Sequence, residues 1–275
     1  MNIKIYQSYY LNSQKQGLEP EFIPFDNTAN EKPEQREYHI WKKLYEEQGK
    51  NTFWGMVSPK FKSKTNITGK QFIDFIEANP GWDCYFVNPA IANESIFLNV
   101  WQQGEFYHPG ITQLANELLQ KSGYDDVDVN SIVMDSRIMM FSSFIVADSR
   151  FWDEMMRLVN RIFEIAEEDS DFNYRMFTPG LADYKIDPTM SMFPFVVERL
   201  TSTIIALKDL KACPYRYHAD DETLHIKYIP YINDLVQLSK LKIAINNYLD
   251  EDLVKVWDYY RKQLLKEKGN VLTLE

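Results

Sequence analysis

The first ninety residues alternate between short apolar runs and longer amphipathic segments, and this alternation constrains the fold more than any other feature. The apolar runs have the patterning of strands, and the amphipathic segments repeat apolar residues at helical spacing. Strands are predicted at residues 3–10, 22–25, 53–58 and 83–87, and helices at residues 34–48 and 69–78. The alternation predicts an α/β fold with a mixed, mostly parallel sheet flanked by helices.

The rest of the chain is richer in helical patterns. Helices are predicted at residues 111–122, 151–168 and 192–207, with Asp148 or Ser149 as the N-cap of the second. Beyond Lys208, a strand-like segment at residues 224–231 precedes a closing helix near residues 249–266. We therefore interpret residues 1–207 as the core of one domain and residues 208–275 as a helical C-terminal extension packed on it.

The carboxyl edge of the predicted sheet is the expected place for a ligand, because open α/β sheets bind ligands beyond the carboxyl ends of their strands. The segments that follow the predicted strands are residues 8–10, 26–31, 58–65 and the residues from 88 onward. The last three carry clusters of polar or charged side chains, which we consider in turn below.

Composition narrows the class of protein. Lysine and arginine number 30 against 40 acidic residues, and the resulting net charge of −10 argues against general binding to a phosphate backbone. A local basic pocket for a diphosphate is still compatible with this charge. Aromatic residues make up 15% of the chain, which fits stacking on sugar rings but equally fits large rings filling the core.

The chain also has the composition of an intracellular protein without a membrane span. Cys84 and Cys213 lie far apart among apolar residues, which predicts buried free thiols in a reducing compartment. The N-terminal residues read directly as a strand, and no apolar run reaches the ~18 residues that cross a bilayer. We expect a cytoplasmic protein that contacts the inner membrane, if at all, peripherally through partners.

The sequence lacks the motifs of several kinds of catalytic site. It contains no glycine-rich phosphate loop, no paired zinc-ligand spacing and no nucleophile elbow. The histidines at positions 39, 108, 218 and 225 have no carboxylate at metal-ligand spacing on a shared helix face. The acids at positions 125, 126 and 128 are interpreted as a solvated loop, so no metal site is predicted.

The first polar cluster follows the strand at residues 22–25. It contains Asn27 and Asn30 and reaches Arg36 at the start of the next helix. Amide side chains both donate and accept hydrogen bonds, so the cluster is suited to ribose or sugar hydroxyls. Asx turns and helix capping explain the same residues without a ligand, and both interpretations stay open.

The second cluster is basic. Lys60, Lys62 and Lys64 stand at alternate positions after the strand at residues 53–58, in a chain that is otherwise acidic. Ammonium groups at the end of a strand are suited to holding a diphosphate and to stabilising charge on a leaving nucleotide. The alternative is a solvent-facing strand edge that its lysines protect from aggregation. The position of the loop favours phosphate binding.

The third cluster begins at Asn88, at the end of the strand at residues 83–87, and continues with Glu105 and His108. Nucleotide-sugar enzymes place their donor site in such a loop. The Asp-x-Asp pair that holds a divalent ion in many of them is missing, and Asp83 stands at the wrong end of its strand. Either Asn88 and Glu105 replace this pair as metal ligands, or the reaction needs no metal. The sequence does not indicate a divalent ion.

Read in order, these motifs form a collinear series over residues 3–207. The series comprises Asn27, Asn30 and Glu37, Trp41-Lys-Lys43, Trp54-Gly55, Ser58-Pro-Lys60, residues 85–89, Asn99-Val-Trp101, His108, residues 141–144, Phe151-Trp152 and residues 194–200. It resembles a bacterial glycosyltransferase-like family found with capsule and O-antigen genes and related to the GT-A group. The chain departs from that family in carrying lysines where the family has an arginine pair, and in lacking a clear metal motif.

The resemblance implies a GT-A-like fold and transfer of a sugar from a nucleotide-sugar donor to a glycan or lipid-linked acceptor. The residues it implies for donor binding are Asn27, Asn30, Arg36, Lys60, Lys64, Asn88 and His108. Glu105 and Asp148 are the candidate general bases, so Glu105→Gln is expected to abolish transfer while nucleotide binding persists. Glu198 and Arg199 are expected to form a buried ion pair that supports the site.

Two other classes of function compete with this interpretation. A nucleotide-binding enzyme such as a phosphotransferase is disfavoured by the missing phosphate loop. A non-catalytic carbohydrate-binding or scaffolding protein of a polysaccharide assembly complex would use the aromatic residues as platforms. The aromatic-rich tail is also a candidate surface for a homodimer.

Overall fold

The computed structural model describes residues 2–49, 52–217 and 224–272. Within these residues six strands form one sheet: β1 (Ile3–Tyr9), β2 (Ile23–Asp26), β3 (Phe53–Val57), β4 (Cys84–Phe86), β5 (Ile145–Ala147) and β6 (Ala212–Pro214). The helices of the first half are α1 (Glu37–Glu47), α2 (Phe61–Thr65), α3 (Gly69–Ala78), α4 (Ile91–Ile96), α5 (Val100–Tyr107) and α6 (Ile111–Gln120). Those of the second half are α7 (Ser149–Glu168), α8 (Ser170–Phe177), α9 (Phe193–Leu207), α10 (Ile232–Tyr248) and α11 (Glu251–Leu272).

The sheet is mixed. Its strand order is β2-β1-β3-β5-β4-β6. The pairs β1–β2, β1–β3 and β4–β6 are parallel, whereas β5 runs antiparallel to both of its neighbours, β3 and β4. The prediction of an α/β protein with a mixed sheet flanked by helices is therefore confirmed.

Both faces of the sheet are covered. Because successive residues of a strand point to opposite faces, each strand contributes side chains to a core on either side. In β4, Cys84 and Phe86 face the larger core, and Tyr85 between them faces the smaller one. The larger core is built with α1, α5, α6, α7 and α9, and the smaller one with α2 and α3. The apolar runs of the sequence are thus strands that are buried on two sides.

Local signals placed the early helices well. Thr68 caps α3, with its hydroxyl accepting from the amide of Gln71 at 3.2 Å and the Gln71 side chain accepting from the Thr68 amide at 2.8 Å. The predicted helix at residues 34–48 begins with a 3-10 turn at Pro33–Gln35 and continues as α1. Asp148 is the N-cap of α7, and its side chain accepts from the amides of Arg150 and Phe151.

The C-terminal extension differs from the prediction in its first part. The strand predicted at residues 224–231 is wrong, because Ile226–Tyr231 forms a 3-10 helix that contains Pro230. Proline has no amide to donate to a sheet ladder, and its fixed φ suits a helical turn. The extension also contains α10, which the sequence analysis did not predict, whereas the closing helix is confirmed as the longer α11.

The extension shares the core of the preceding residues. β6 is an edge strand of the same sheet, paired with β4. Lys242 of α10 is fully buried, and its ammonium lies 3.0 Å from a carboxylate oxygen of Glu94 in α4. It also donates to the backbone oxygens of Phe97 at 3.0 Å and Met134 at 2.7 Å. In the part of the chain that the structure describes, no helix is long and apolar enough to cross a membrane.

Gly55 allows β5 to lie beside β3. A Cβ atom at this position would be 2.0 Å from the backbone oxygen of Ile145 and 2.9 Å from its carbonyl carbon. Both neighbours are backbone atoms of a paired strand, so they cannot move aside without breaking the sheet. The glycine is therefore required by the close contact of two strands.

Gly55→Ala is expected to lower the free energy of unfolding by about 3 kcal/mol, since it overpacks a sheet contact that cannot relax. Urea denaturation followed by circular dichroism measures the change. Gly17→Ala is the matched control, because an added Cβ there meets no heavy atom within 4 Å. Equal stability of the two variants would contradict this account of β3 and β5.

Candidate functional site

A pocket of about 480 Å³ lies at the carboxyl edge of the sheet, next to the ends of β1 and β3. The chain leaves β1 towards β2 on one side, and it leaves β3 towards β4 on the other side. Two adjacent parallel strands whose connections depart in opposite directions form a topological switch point, where α/β sheets bind their ligands. This is the edge at which the sequence predicts functional residues.

The pocket wall comes from five parts of the chain. Tyr10 follows β1, Ser58 to Lys60 follow β3, and Ser142 and Ser143 precede β5. The starts of α1 and α9 and the loop before α9 complete the wall. Because β5 is antiparallel, the residues before this strand reach the carboxyl edge of its neighbours, and those after it reach the opposite edge.

The lysine cluster is a single turn of helix, α2, with Lys60 as its N-cap. Residues four apart share one face of a helix, so Lys60 and Lys64 both line the pocket. Lys62 lies on another face, and its ammonium is 3.7 Å from Glu19. The alternate spacing thus gives two lysines that line the pocket, Lys60 and Lys64, and one, Lys62, that pairs elsewhere. The Lys64 ammonium donates to the Ser142 hydroxyl at 3.0 Å.

Two glutamates face the pocket beside these cations. Burial raises the pKa of Glu37, and the charge of Glu198 raises it further, while Arg36 and Lys64 oppose the shift. Glu198 accepts a hydrogen bond from the Ser142 amide at 2.6 Å. Burial and the charge of Glu37 raise the pKa of Tyr10 to about 12. The surroundings of Glu37 therefore favour its protonated form more than water does, as is common for carboxylates that take part in proton transfer.

Arg36 joins the cluster from the start of α1. It lines the pocket with its backbone at φ 48° and ψ −128°, a conformation that L-residues rarely adopt. Its guanidinium donates to Asp187 at 3.0 Å. Backbone strain of this kind persists only where the surroundings fix it, and it concentrates at functional sites.

Ser142 and Ser143 are a second strained position. Both have left-handed φ angles, of 67° and 50°. Ser143 is 4% exposed, and its hydroxyl has no hydrogen-bond partner among the described residues. Trp41, which lines the same pocket, has a buried indole N–H that also lacks an acceptor in the described chain. Buried donors without acceptors are uncommon, and two of them belong to residues of this one pocket.

The structure brings four of the residues predicted for the site together in this pocket. These are Arg36, Lys60, Lys64 and Glu198. Asn27 and Asn30 follow β2 at the same edge of the sheet but are not among the lining residues. The Asn27 amide donates to the Tyr9 carbonyl at 3.0 Å, and Asn30 adopts a left-handed φ of 42°, as expected of a turn.

Asn88 lines a different cavity, of about 230 Å³, between β4, β6 and α10. Its side-chain oxygen accepts from the Ala90 amide at 3.0 Å, which starts α4. The cavity also contains Tyr215 and Arg216 from the chain just beyond β6. Asn88 therefore lies at the predicted edge of the sheet, but apart from the cluster of lysines and acids.

The two acids predicted as general bases are outside the pocket. Glu105 accepts from the Gly110 amide at 2.8 Å and from the Thr112 hydroxyl at 2.7 Å, and so holds the start of α6. Burial raises its pKa, but these hydrogen bonds outweigh burial and lower it. Asp148 follows the antiparallel β5 and thus lies at the opposite edge of the sheet, where Arg150 bridges it to Asp83.

His108 and Arg199 stand behind the pocket wall. The His108 ring is 3% exposed, stacks on Phe195 with centroids 3.9 Å apart, and its Nδ1 donates to the Ala182 carbonyl at 2.7 Å. Arg199 donates to the carbonyls of Val100 and Phe195 at 2.9 Å each. Glu198 faces the pocket instead, since consecutive helical residues point in different directions. The ring of His108 and the guanidinium of Arg199 both contact Phe195 and hold it in place, and Phe195 lines the pocket.

The residues that sequence reasoning did not assign to the site are Tyr10, Glu37, Trp41, Ser142 and Ser143. Tyr10 ends a segment where functional residues were expected, and Glu37 and Trp41 belong to the motif series described above. Ser142 and Ser143 also belong to that series, within residues 141–144, but the pattern did not place them at this edge, to which the antiparallel direction of β5 brings them. Among the described residues, no group of three or more His, Cys, Asp or Glu could hold a metal ion.

Comparisons of the chain with models of known protein families, with curated proteins and with solved structures found no match. The geometry of the pocket is therefore the basis on which a function can be argued.

The buried His108 predicts a specific dependence of stability on pH. Burial lowers its pKa from 6.5 to about 4. Above pH 6.5 both the folded and the unfolded states carry a neutral ring, so this residue has no effect there. As the pH falls from 6.5 towards 4, only the unfolded state takes up the proton, and stability falls by about 3 kcal/mol.

Urea midpoints of the wild type and His108→Gln, compared between pH 7 and 5, measure this effect. Most carboxylates have not yet titrated in that interval, so the histidine dominates the difference. The wild type should lose stability with falling pH, and the variant should lose less. Parallel curves would show that His108 is not buried as a neutral ring.

Proposed function

We propose that this chain is a glycosyltransferase that moves a sugar from a nucleotide-sugar donor to a surface-polysaccharide acceptor, and that the switch-point pocket is its donor site. The observation that carries the proposal is the meeting of Lys60, Lys64 and Arg36 with Glu37 and Glu198 in one cavity. Cations that can hold a diphosphate, beside acids that can accept a proton or a sugar hydroxyl, suit a ligand that joins a diphosphate to a sugar. The resemblance in motif order agrees with this assignment.

Lys60 and Lys64 are the proposed diphosphate contacts. Neither ammonium has a carboxylate within 4.0 Å in the described parts of the chain, so both can donate to an incoming anion. Positive charge fixed at this place would also stabilise the nucleotide diphosphate as it leaves. Arg36 adds a planar guanidinium, which binds phosphate oxygens in a bidentate manner.

Glu37 is the proposed general base, in place of Glu105 and Asp148. A base that deprotonates an acceptor hydroxyl works best when its pKa lies near the working pH, and burial and Glu198 both shift the Glu37 pKa in that direction. The oxygens of Glu105 and Asp148 are instead engaged in starting helices. Glu37 would take the proton of the acceptor hydroxyl as that oxygen attacks the anomeric carbon and the nucleotide diphosphate departs.

Trp41 and Ser143 are proposed to bind the sugar. Each brings a donor that is buried without an acceptor, and sugar hydroxyls are acceptors of the right kind. A ligand that lacks the matching hydroxyl leaves the buried donor without an acceptor. Sites of this kind therefore discriminate strongly between ligands that have the hydroxyl and ligands that lack it.

Removal of the pocket lysines tests donor binding. Lys60→Ala and Lys64→Ala should each weaken the affinity for UDP, GDP, CMP or dTDP, whichever binds, by about tenfold, and together by roughly a hundredfold. The ligand is first identified by thermal shift, since a nucleotide at 100 times its dissociation constant adds about 2.7 kcal/mol of stability. Isothermal titration calorimetry then gives the affinities.

Lys62→Ala is the matched control, because it removes the same charge from the same helix on a face that is turned to Glu19. It should leave the affinity within about twofold of the wild type. Equal losses in all three lysine variants would indicate general electrostatic attraction and would remove the pocket from consideration as the diphosphate site.

Glu37→Gln tests the chemistry. The amide keeps the size of the side chain but accepts no proton, so the rate of sugar transfer should fall by about 10²- to 10⁴-fold while donor affinity changes little. Release of nucleoside diphosphate in the presence of an acceptor glycan measures the rate. Glu105→Gln should instead lower the melting temperature and keep most of the activity.

The reverse result, in which Glu105→Gln is inactive and Glu37→Gln is active, would return the base to Glu105. The remaining alternative is a non-catalytic carbohydrate-binding or scaffolding protein. It is favoured if glycans bind while none of the nucleotides or sugar nucleotides shifts the melting temperature.

A further inference from the structure

Arg36 is engaged by an acid from the opposite rim of the pocket. Its Nη2 lies 3.0 Å from a carboxylate oxygen of Asp187 and 2.8 Å from the sulfur of Met190. Arg36 lies at the N-terminus of α1, and its strained backbone fixes the direction in which its side chain leaves the helix. The carboxylate of Asp187 therefore pairs with the guanidinium that would otherwise contact the negatively charged groups of a ligand.

Asp187 lies in a loop that connects α8 to α9 and forms one rim of the pocket. Tyr184, Ile186, Asp187 and Met190 of this loop line the cavity. The loop is tied to itself at its base, since the Gly180 amide donates to the Met190 carbonyl at 3.0 Å. Ile186 is 74% exposed although it lines the pocket. The loop thus presents one acid and one uncovered apolar side chain to the cavity.

The contact between Arg36 and Asp187 is weak enough for a ligand to replace. The two side chains are 44% and 36% exposed, and ion pairs with this exposure change an equilibrium by about two- to fivefold. A diphosphate carries more negative charge than a carboxylate and offers several oxygens to the planar guanidinium. In a competition for Arg36, the diphosphate is favoured.

We propose that Asp187 stands in for the anionic group of the ligand: it holds Arg36 in the free protein, and an entering phosphate displaces it. The contact competes with the ligand for the guanidinium and ties the rim loop to the start of α1, so the loop is released when the pocket fills. This inference rests on the proposed function for the position of the phosphates, and it needs no sugar transfer.

The test uses inorganic pyrophosphate as the probe and calorimetry as the readout. Asp187→Asn frees Arg36, so its affinity for pyrophosphate should be about two- to fivefold tighter than that of the wild type. In the Arg36→Ala background the same substitution should have no such effect, because nothing remains to be released. An unchanged or weaker affinity of Asp187→Asn would overturn the proposal.

Asp183→Asn is the matched control for charge alone. Asp183 lies in the same loop, is exposed and is not among the pocket residues. Its left-handed φ of 49° is tolerated by asparagine. Asp183→Asn should leave the pyrophosphate affinity within the error of the wild type, and an increase equal to that of Asp187→Asn would overturn the displacement mechanism.

Hydrogen exchange provides the second readout. Saturation with pyrophosphate should speed exchange of the amides of residues 186, 187, 189 and 190, since the loop loses its contact with Arg36. Slower exchange would mean that the loop closes with the ion pair intact, and it would contradict the proposal. These outcomes are separate from the test of sugar transfer, because a protein that binds pyrophosphate without transferring a sugar still gives them.

Discussion

The contact between β3 and β5 at Gly55 determines the arrangement of the site. Because no Cβ stands between the strands, the short antiparallel β5 fits between β3 and β4 and joins the two parallel parts of the sheet. Its direction brings Ser142 and Ser143 to the edge where β1 and β3 end. Ser142 then contacts both Lys64 and Glu198 and so links a cation and an acid of the pocket.

The balance of charge inside the pocket differs from that of the whole chain. The protein has a net charge of −10, yet three cations and three carboxylates line the cavity. One of these carboxylates, Asp187, is engaged with Arg36, and burial favours the protonated form of another, Glu37. The local field seen by an anion therefore depends on which acids are neutralised, and composition alone does not report it.

Much of the fold followed from local signals in the sequence, and the site followed in part. Thr68 and Asp148 marked the helix starts, and the strand–helix alternation located the edge where the pocket lies. Lys60 and Lys64 lie at the edge of the sheet that the alternation indicated, but their spacing took on a different meaning once the segment formed a helix. Glu37 and Glu198 meet across 161 positions of the chain, and no local pattern reports such an approach.

The acids at positions 37, 105 and 148 show why residue type and position after a strand are insufficient to identify a base. Each lies in or next to a helix of an α/β fold, but a carboxylate that accepts the free amides at the start of a helix is stabilised in its charged form. Glu105 and Asp148 have such amide partners two to seven residues away along the chain. Glu37 is itself the first residue of α1, and burial, together with the charge of Glu198, raises its pKa against the hydrogen bond from its own amide. A proton acceptor for a reaction must be able to gain a proton at moderate cost, and the pKa of Glu37 is raised whereas that of Glu105 is lowered.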